Sequence, residues 1–239
     1  MGEGAKRVIA VMRLAVAEPL RKVQPMPETA VPDETLRPAL EALAARDSDI
    51  ARFYAACGLP PVRRHARGFA GLLRIMCAQQ VSAASARALI GRLDDAARPL
   101  TPDTFLALDD AALRAIGFSR SKVRYGRALA EDVRAGRIDL EAIARTADQD
   151  VAIAGLTQAT GIGRWTAEIY LLFALGRPDV WPAGDLAVRV AVQRLKDLPA
   201  RPTLDEMIGL AESWRPYRSA AARFLWHIYR HPGVPNGGA

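Results

Sequence analysis

Apolar residues recur three and four positions apart along most of the chain, as at Leu36, Leu40 and Leu43 and again at Phe69, Leu72, Leu73 and Met76. That spacing lays an apolar stripe along a helix of about 3.6 residues per turn. No segment alternates apolar and polar residues for long enough to suggest a sheet, so the pattern predicts an all-α fold of many short helices. Glycine marks their ends: Gly117 follows DDAALRAI, Gly136 follows SKVRYGRALAEDVRA and Gly176 follows RWTAEIYLLFAL, each where a left-handed residue closes a helix. Before this region, Pro19, Pro25, Pro27 and Pro32 interrupt any long helix, and residues 1–34 read as a separate leader, strand-like or disordered in part. The terminal PNGGA is expected to fray.

A length of 239 residues allows one large domain or two small lobes around a sizeable core. No uninterrupted apolar run approaches the roughly 20 residues that cross a bilayer. A soluble protein without a membrane partner is therefore expected. The leader mixes acidic and basic residues around a short apolar patch without a clear cleavage site, which fits a secretory signal poorly and makes cytoplasmic the default location, nucleoid-associated in a bacterium. Cys57 and Cys77 are the only cysteines. Two thiols make neither a disulfide framework nor a four-thiolate cluster. His227 and His231, four apart, lack a third ligand. No cofactor or catalytic metal is expected. Lys and Arg number 33 against 26 Asp and Glu, a net +7 with pI near 9.9, which suits a polyanionic partner without establishing one.

Two helical patterns flank Thr160-Gly161-Ile162-Gly163, with Asp148 or Asp150 placed to cap the first. Glycines permit torsions that a side chain resists, and Ile162 between them can plug the gap where the helices meet. Such a turn presents backbone N–H groups at the start of the second helix, where the dipole also favours an anion such as a phosphate. An ordinary helix–helix connection with glycine caps has the same local pattern. Downstream, in VWPAGDLAVRVAVQRL, Pro182 and Gly184 break the chain and Asp185 opens a helix. By itself Asp185 is an N-cap.

Together, GIGRWTA and GDLAV resemble the helix-hairpin-helix (HhH-GPD) DNA glycosylase superfamily, and the likeness covers about residues 36 to 230. It implies a two-lobed helical HhH-GPD fold with a central DNA-binding cleft. One lobe comprises residues 67–184 with the hairpin, and a terminal lobe comprises 35–66 plus 185–239. It also implies that Asp185 is catalytic: a carboxylate beside C1′ stabilises the oxocarbenium that builds as an N-glycosidic bond breaks, and orients the attacking water. Members that also cut the backbone carry Gly-x-Gly-x-Lys. Here that position is Trp165, which cannot form a Schiff base, so simple hydrolysis is expected.

LLRIMCAQQVSAASARAL resembles the alkylpurine branch, the 3-methyladenine DNA glycosylase II type. The resemblance implies that Gln79 lies near a flipped base and that Gln80 fills the gap left in the duplex. In WRPYR it implies Trp214 as the aromatic beside a cationic alkylated purine, with Trp165 and Tyr170 as further pocket walls. Implied DNA contacts are Gly161, Ile162, Gly163, Arg164 and Thr166 at the hairpin, and Gly117, Ser119 and Lys122 in a second loop. Arg215 and Arg218 either reach phosphates or hold a carboxylate within the protein. Carbonyls of Thr157, Ala159 and Ile162 are the positions implied for a structural monovalent cation. Damaged double-stranded DNA, bound by a monomer, is the expected partner. A glycosylase for an oxidised or deaminated base and a non-catalytic DNA-binding module remain alternatives.

Overall fold

The computed structural model describes residues 31–231. After a 3-10 turn at Glu34–Leu36 the helices run α1 (Arg37–Ala44), α2 (Ser48–Cys57), α3 (Gly68–Ala78), α4 (Ala83–Ala96), α5 (Pro102–Leu106), α6 (Asp110–Ile116) and α7 (Arg120–Arg134). They continue as α8 (Leu140–Arg145), α9 (Gln149–Thr157), α10 (Arg164–Phe173), α11 (Leu186–Leu195), α12 (Leu204–Ala211), a 3-10 turn at Glu212–Trp214, and α13 (Arg218–Tyr229). Among the described residues no strand forms beyond one isolated bridge between Pro32 and Pro61. The expectations for residues 1–30 and for the PNGGA tail lie outside the described residues.

Local chemistry sets the boundaries. Asp47, Ser82, Asp109, Asp139 and Asp148 each accept a first-turn N–H at a helix start, a cap that contributes about 1 kcal/mol. Of the two carboxylates open for α9, Asp148 is the cap. Gly117, Gly136 and Gly176 adopt φ of +113°, +71° and +69°, the left-handed torsions their positions predict.

The described residues divide into two compact units, one of residues 31–63 with 181–231 and one of 64–180. These divisions fall a few residues upstream of those expected at 66/67 and 184/185. One reason is Trp181, whose Nε1 donates to the Met207 carbonyl at 2.9 Å and so ties the loop before Asp185 to α12.

In the first unit, α1 and α2 pack against α11 and α13. Leu40, Leu43, Phe53, Val192, Leu195, Phe224 and Ile228 are among its fully buried core residues. At its centre Asp47 takes Lys196 Nζ on both oxygens at 2.8 Å and Trp214 Nε1 on Oδ2 at 2.8 Å. In the second unit α3 is apolar on nearly every side and sits in the middle, packed by α4, α7, α8 and α10. Helix α10 is as deeply buried from Thr166 to Phe173.

Candidate functional site

Asp185 leads α11. The loop before it folds back, with the Asp185 N–H donating to the Pro182 carbonyl at 3.0 Å, and leaves the side chain at the helix N-terminus. Its Oδ1 accepts the Val188 N–H at 2.9 Å and the Trp226 indole Nε1–H at 3.1 Å. The residue is 8% exposed, a nearly buried carboxylate oriented by two donors. Leu186 beside it is exposed. Trp226 comes from α13 and is half-buried. No sequence argument singled it out. The available signal is that it lies off the Phe224, Leu225 and Ile228 stripe and shares its helix face with Arg223 and Arg230, an unusual place for a large aromatic.

Arg63 adds positive charge in the same unit. Burial of its guanidinium, with repulsion from Arg230 and Arg223, lowers its pKa to about 10 against the attraction of Asp185. Arg63 is an exposed residue, and the group stays charged at neutral pH.

The hairpin in the second unit forms as its sequence requires. Gly161 has φ +90°, and a Cβ there would stand 2.5 Å from Cγ of Tyr125, so both torsion and space demand glycine. Ile162 is 4% exposed and plugs the turn. Its N–H donates to the Ala159 carbonyl at 3.0 Å, committing one lone pair of a carbonyl implied for the cation. Thr157 closes α9, with its hydroxyl donating to the Ile153 carbonyl. Gly163 caps α10 without a side chain, so no capping group competes with an anion for the first-turn N–H groups. Trp165 in that turn is 39% exposed.

Gln79 and Gln80 follow α3. Gln79 Nε2 donates to Thr166 Oγ1 at 2.5 Å. Gln80 is exposed with φ +57°, a left-handed torsion that costs a non-glycine residue on the order of 1 kcal/mol. The second loop is present, with Gly117 left-handed and Ser119 capping α7 through the Lys122 N–H at 3.2 Å.

Several expectations for side chains need correction. Trp214 is 1% exposed, its indole hydrogen-bonded to Asp47 and set edge-on to Trp181 at 5.4 Å between centroids; it is core, with no face for a base. It ends a 3-10 turn instead of opening α13, because Arg215 before Pro216 is extended and the helix starts only at Arg218. Tyr170 is also core, 1% exposed, its hydroxyl accepting the Gly68 N–H at 2.8 Å while burial raises the phenol pKa. Arg215 and Arg218 both hold Glu212, at 2.8 and 3.3 Å, the internal-carboxylate alternative. Thr166 is buried under Gln79 and the Lys122 ammonium donates to the carbonyls of Cys77 and Gln79, so these two side chains do not stand ready for phosphate, whereas Arg164, paired with Glu168 at 2.9 Å, keeps its side chain 67% exposed.

Among the described residues no group of His, Cys, Asp and Glu is arranged to hold a metal ion, and no helix is long and apolar enough to cross a membrane. His227 Nε2 instead meets the Cys57 carbonyl at 2.9 Å, and burial lowers its pKa.

Residues 73–216 match the family model described as HhH-GPD superfamily base excision DNA repair protein. The DNA-3-methyladenine glycosylase 1 of Schizosaccharomyces pombe is 35% identical over 158 residues, which are 65% of this chain and 69% of that protein. A solved structure of 3-methyladenine DNA glycosylase from the same yeast, in complex with abasic DNA, has a TM-score of 0.73 at 30% identity and aligns with 84% of this chain and 99% of that one. The DNA-3-methyladenine glycosidase of Bacillus halodurans gives 0.71 at 30% identity, over 80% of this chain and 89% of that one. With a match across more than half its length and the hairpin and Asp185 loop inside it, the chain belongs to the HhH-GPD superfamily of base excision DNA repair proteins.

Proposed function

We propose that the protein is a monofunctional DNA glycosylase, active as a monomer, that hydrolyses the N-glycosidic bond of alkylated purines of the 3-methyladenine and 7-methylguanine type in double-stranded DNA. The observation that carries this reading is the seat of Asp185: a nearly buried carboxylate, fixed on one oxygen by the Val188 amide and the Trp226 indole. Catalysis of this bond cleavage needs negative charge placed in advance where positive charge will develop. The C1′–N bond breaks with its electron pair leaving on the base, and the cationic alkylated purine departs neutral without an added proton. Asp185 stabilises the oxocarbenium left on the sugar, then orients the water and takes its proton as the oxygen bonds C1′. An abasic site and a free base result.

Trp165 stands where lyase relatives have lysine, which supports hydrolysis without strand cleavage. The relatives named 3-methyladenine glycosylases support the choice of base. The N–H groups opening α10 take the DNA phosphate, Gln80 enters the gap in the duplex, and Gln79 lies near the flipped base. The carbonyls of Thr157, Ala159 and Ile162 support a monovalent cation at the hairpin in a purely structural role.

Asp185→Asn tests this directly, because asparagine keeps an oxygen for Val188 and Trp226 and so preserves the cap. Wild type is expected to release 3-methyladenine or 7-methylguanine from methylated duplex DNA, with strand breaks only after alkali. The variant is expected to be slower by about 100-fold or more. Equal release by the folded variant removes Asp185 from the mechanism, and breaks before alkali exclude the monofunctional reading.

A further inference from the structure

We infer that Lys122 is a positioning residue whose ammonium bolts down the turn carrying Gln79 and Gln80, so that Gln80 is held ready for the duplex gap before DNA arrives. This rests on the roles given to those glutamines above.

Lys122 occupies the first turn of α7, where the positive end of its own helix disfavours a cation. Its side chain turns away to the opposite kind of helix end. Nζ donates to the Cys77 carbonyl at 2.6 Å and the Gln79 carbonyl at 3.1 Å, oxygens left over where α3 stops. The Gln79 carbonyl belongs to the peptide that leads into Gln80. Fixing that oxygen fixes the peptide plane from which Gln80, at φ +57°, projects.

The turn is fastened a second time, through the Gln79 side chain to Thr166 in the first turn of α10. A third contact closes the circuit: Gly161 of the hairpin is packed against Tyr125, one helical turn along α7 from Lys122. Helix α7, the hairpin and the glutamine turn therefore brace one another. The phosphate-binding N–H groups and the residue that enters the duplex are expected to move as one piece. A plain helix cap would stabilise α3 alone; a positioning residue changes how well the protein senses a missing base.

The test uses Lys122→Met, which keeps the stem and removes the charge, and Lys122→Arg, which restores donors to carbonyls. Affinity is measured for a duplex with a tetrahydrofuran abasic analogue and for the same duplex intact. Lys122→Met is expected to reduce the preference for the gapped duplex by about tenfold, with affinity for intact duplex near wild type and the thermal midpoint lowered by about a few degrees, and Lys122→Arg to recover most of both. An unchanged preference in Lys122→Met overturns the inference. So does a fall in both affinities that follows lost stability and is not rescued by arginine. A wild-type protein with no preference for the gapped duplex overturns it too. Because no bond is broken in this experiment, preference lost in Lys122→Met supports the inference even if Asp185→Asn shows the chemistry to be otherwise.

Discussion

Trp226 helps to orient Asp185. Its indole N–H and the Val188 amide converge on the same oxygen, so losing the indole donor removes one of the contacts that aim the carboxylate and leaves the helix cap in place. Trp226→Phe keeps an aromatic ring and removes that donor. Single-turnover base release is expected to slow about tenfold, the worth of one hydrogen bond to a charged group, with duplex affinity unchanged. Weaker binding at an unchanged rate would mean that Trp226 acts as a wall and not as a clamp. Asp185 was legible in the sequence because a helix start after Pro and Gly is written in local residue types. Trp214 and Trp226 were not separable that way. What sorts the two tryptophans is whether Asp47 or Asp185 happens to face the indole, a fact of tertiary contact.

At the scale of elements, the hairpin is the part most nearly determined by its own sequence. Gly161 fails any substitution on two independent counts, torsion and the ring of Tyr125. Gly161→Ala is expected to lower stability by about 2 kcal/mol or more, read from the denaturant midpoint, and to weaken DNA binding as the first turn of α10 shifts. Unchanged stability would mean that Tyr125 and α7 yield at little cost. Helix ends were legible for the same reason, since caps and left-handed glycines are local signals. The 3-10 turn at Glu212–Trp214 was not, because Pro216 is suited to open a helix, and nothing in the local residue types says that α13 starts only at Arg218.

For the molecule as a whole, formal charge says less about DNA than it first suggests. Many cations are turned inward to carbonyls or carboxylates: Arg177 reaches Ile143 and Thr146, Arg194 reaches Ile228 and His231, and Lys196 reaches Asp47. The carboxylates among these partners make stability sensitive to acid. Burial alone would raise the Asp47 carboxyl, but hydrogen bonds from Lys196, Trp214 and the Ile50 amide outweigh it and hold the group below its ordinary value. Asp33 is lowered by the same balance, through Thr35 and Arg223. A carboxyl depressed in the fold contributes stability above its unfolded pKa, near about 3.9, and loses it as pH falls through the lower folded value. The thermal midpoint is therefore expected to hold from neutrality to about pH 5 and to fall steeply below. Asp47→Asn should start lower at neutral pH and fall less. A parallel curve would remove Asp47 as a source of the acid limb. An all-α chain with net positive charge was evident from composition and period, but which cations serve the fold was not, because the carbonyls that take them lie far away in sequence.

The cap at the start of α11 bears on how this protein tolerates random change. In many enzymes a reactive carboxylate is a burden on folding, and its loss is repaid in stability. Here the same oxygen that we assign to chemistry also closes a helix. Asparagine, serine or threonine at 185 would fold and accumulate, whereas alanine would give up about 1 kcal/mol of helix start and accumulate less. A survey of variants scored only by cellular abundance would thus record position 185 as an ordinary capping site, permissive within its class, and the role we propose for it in chemistry would pass unnoticed.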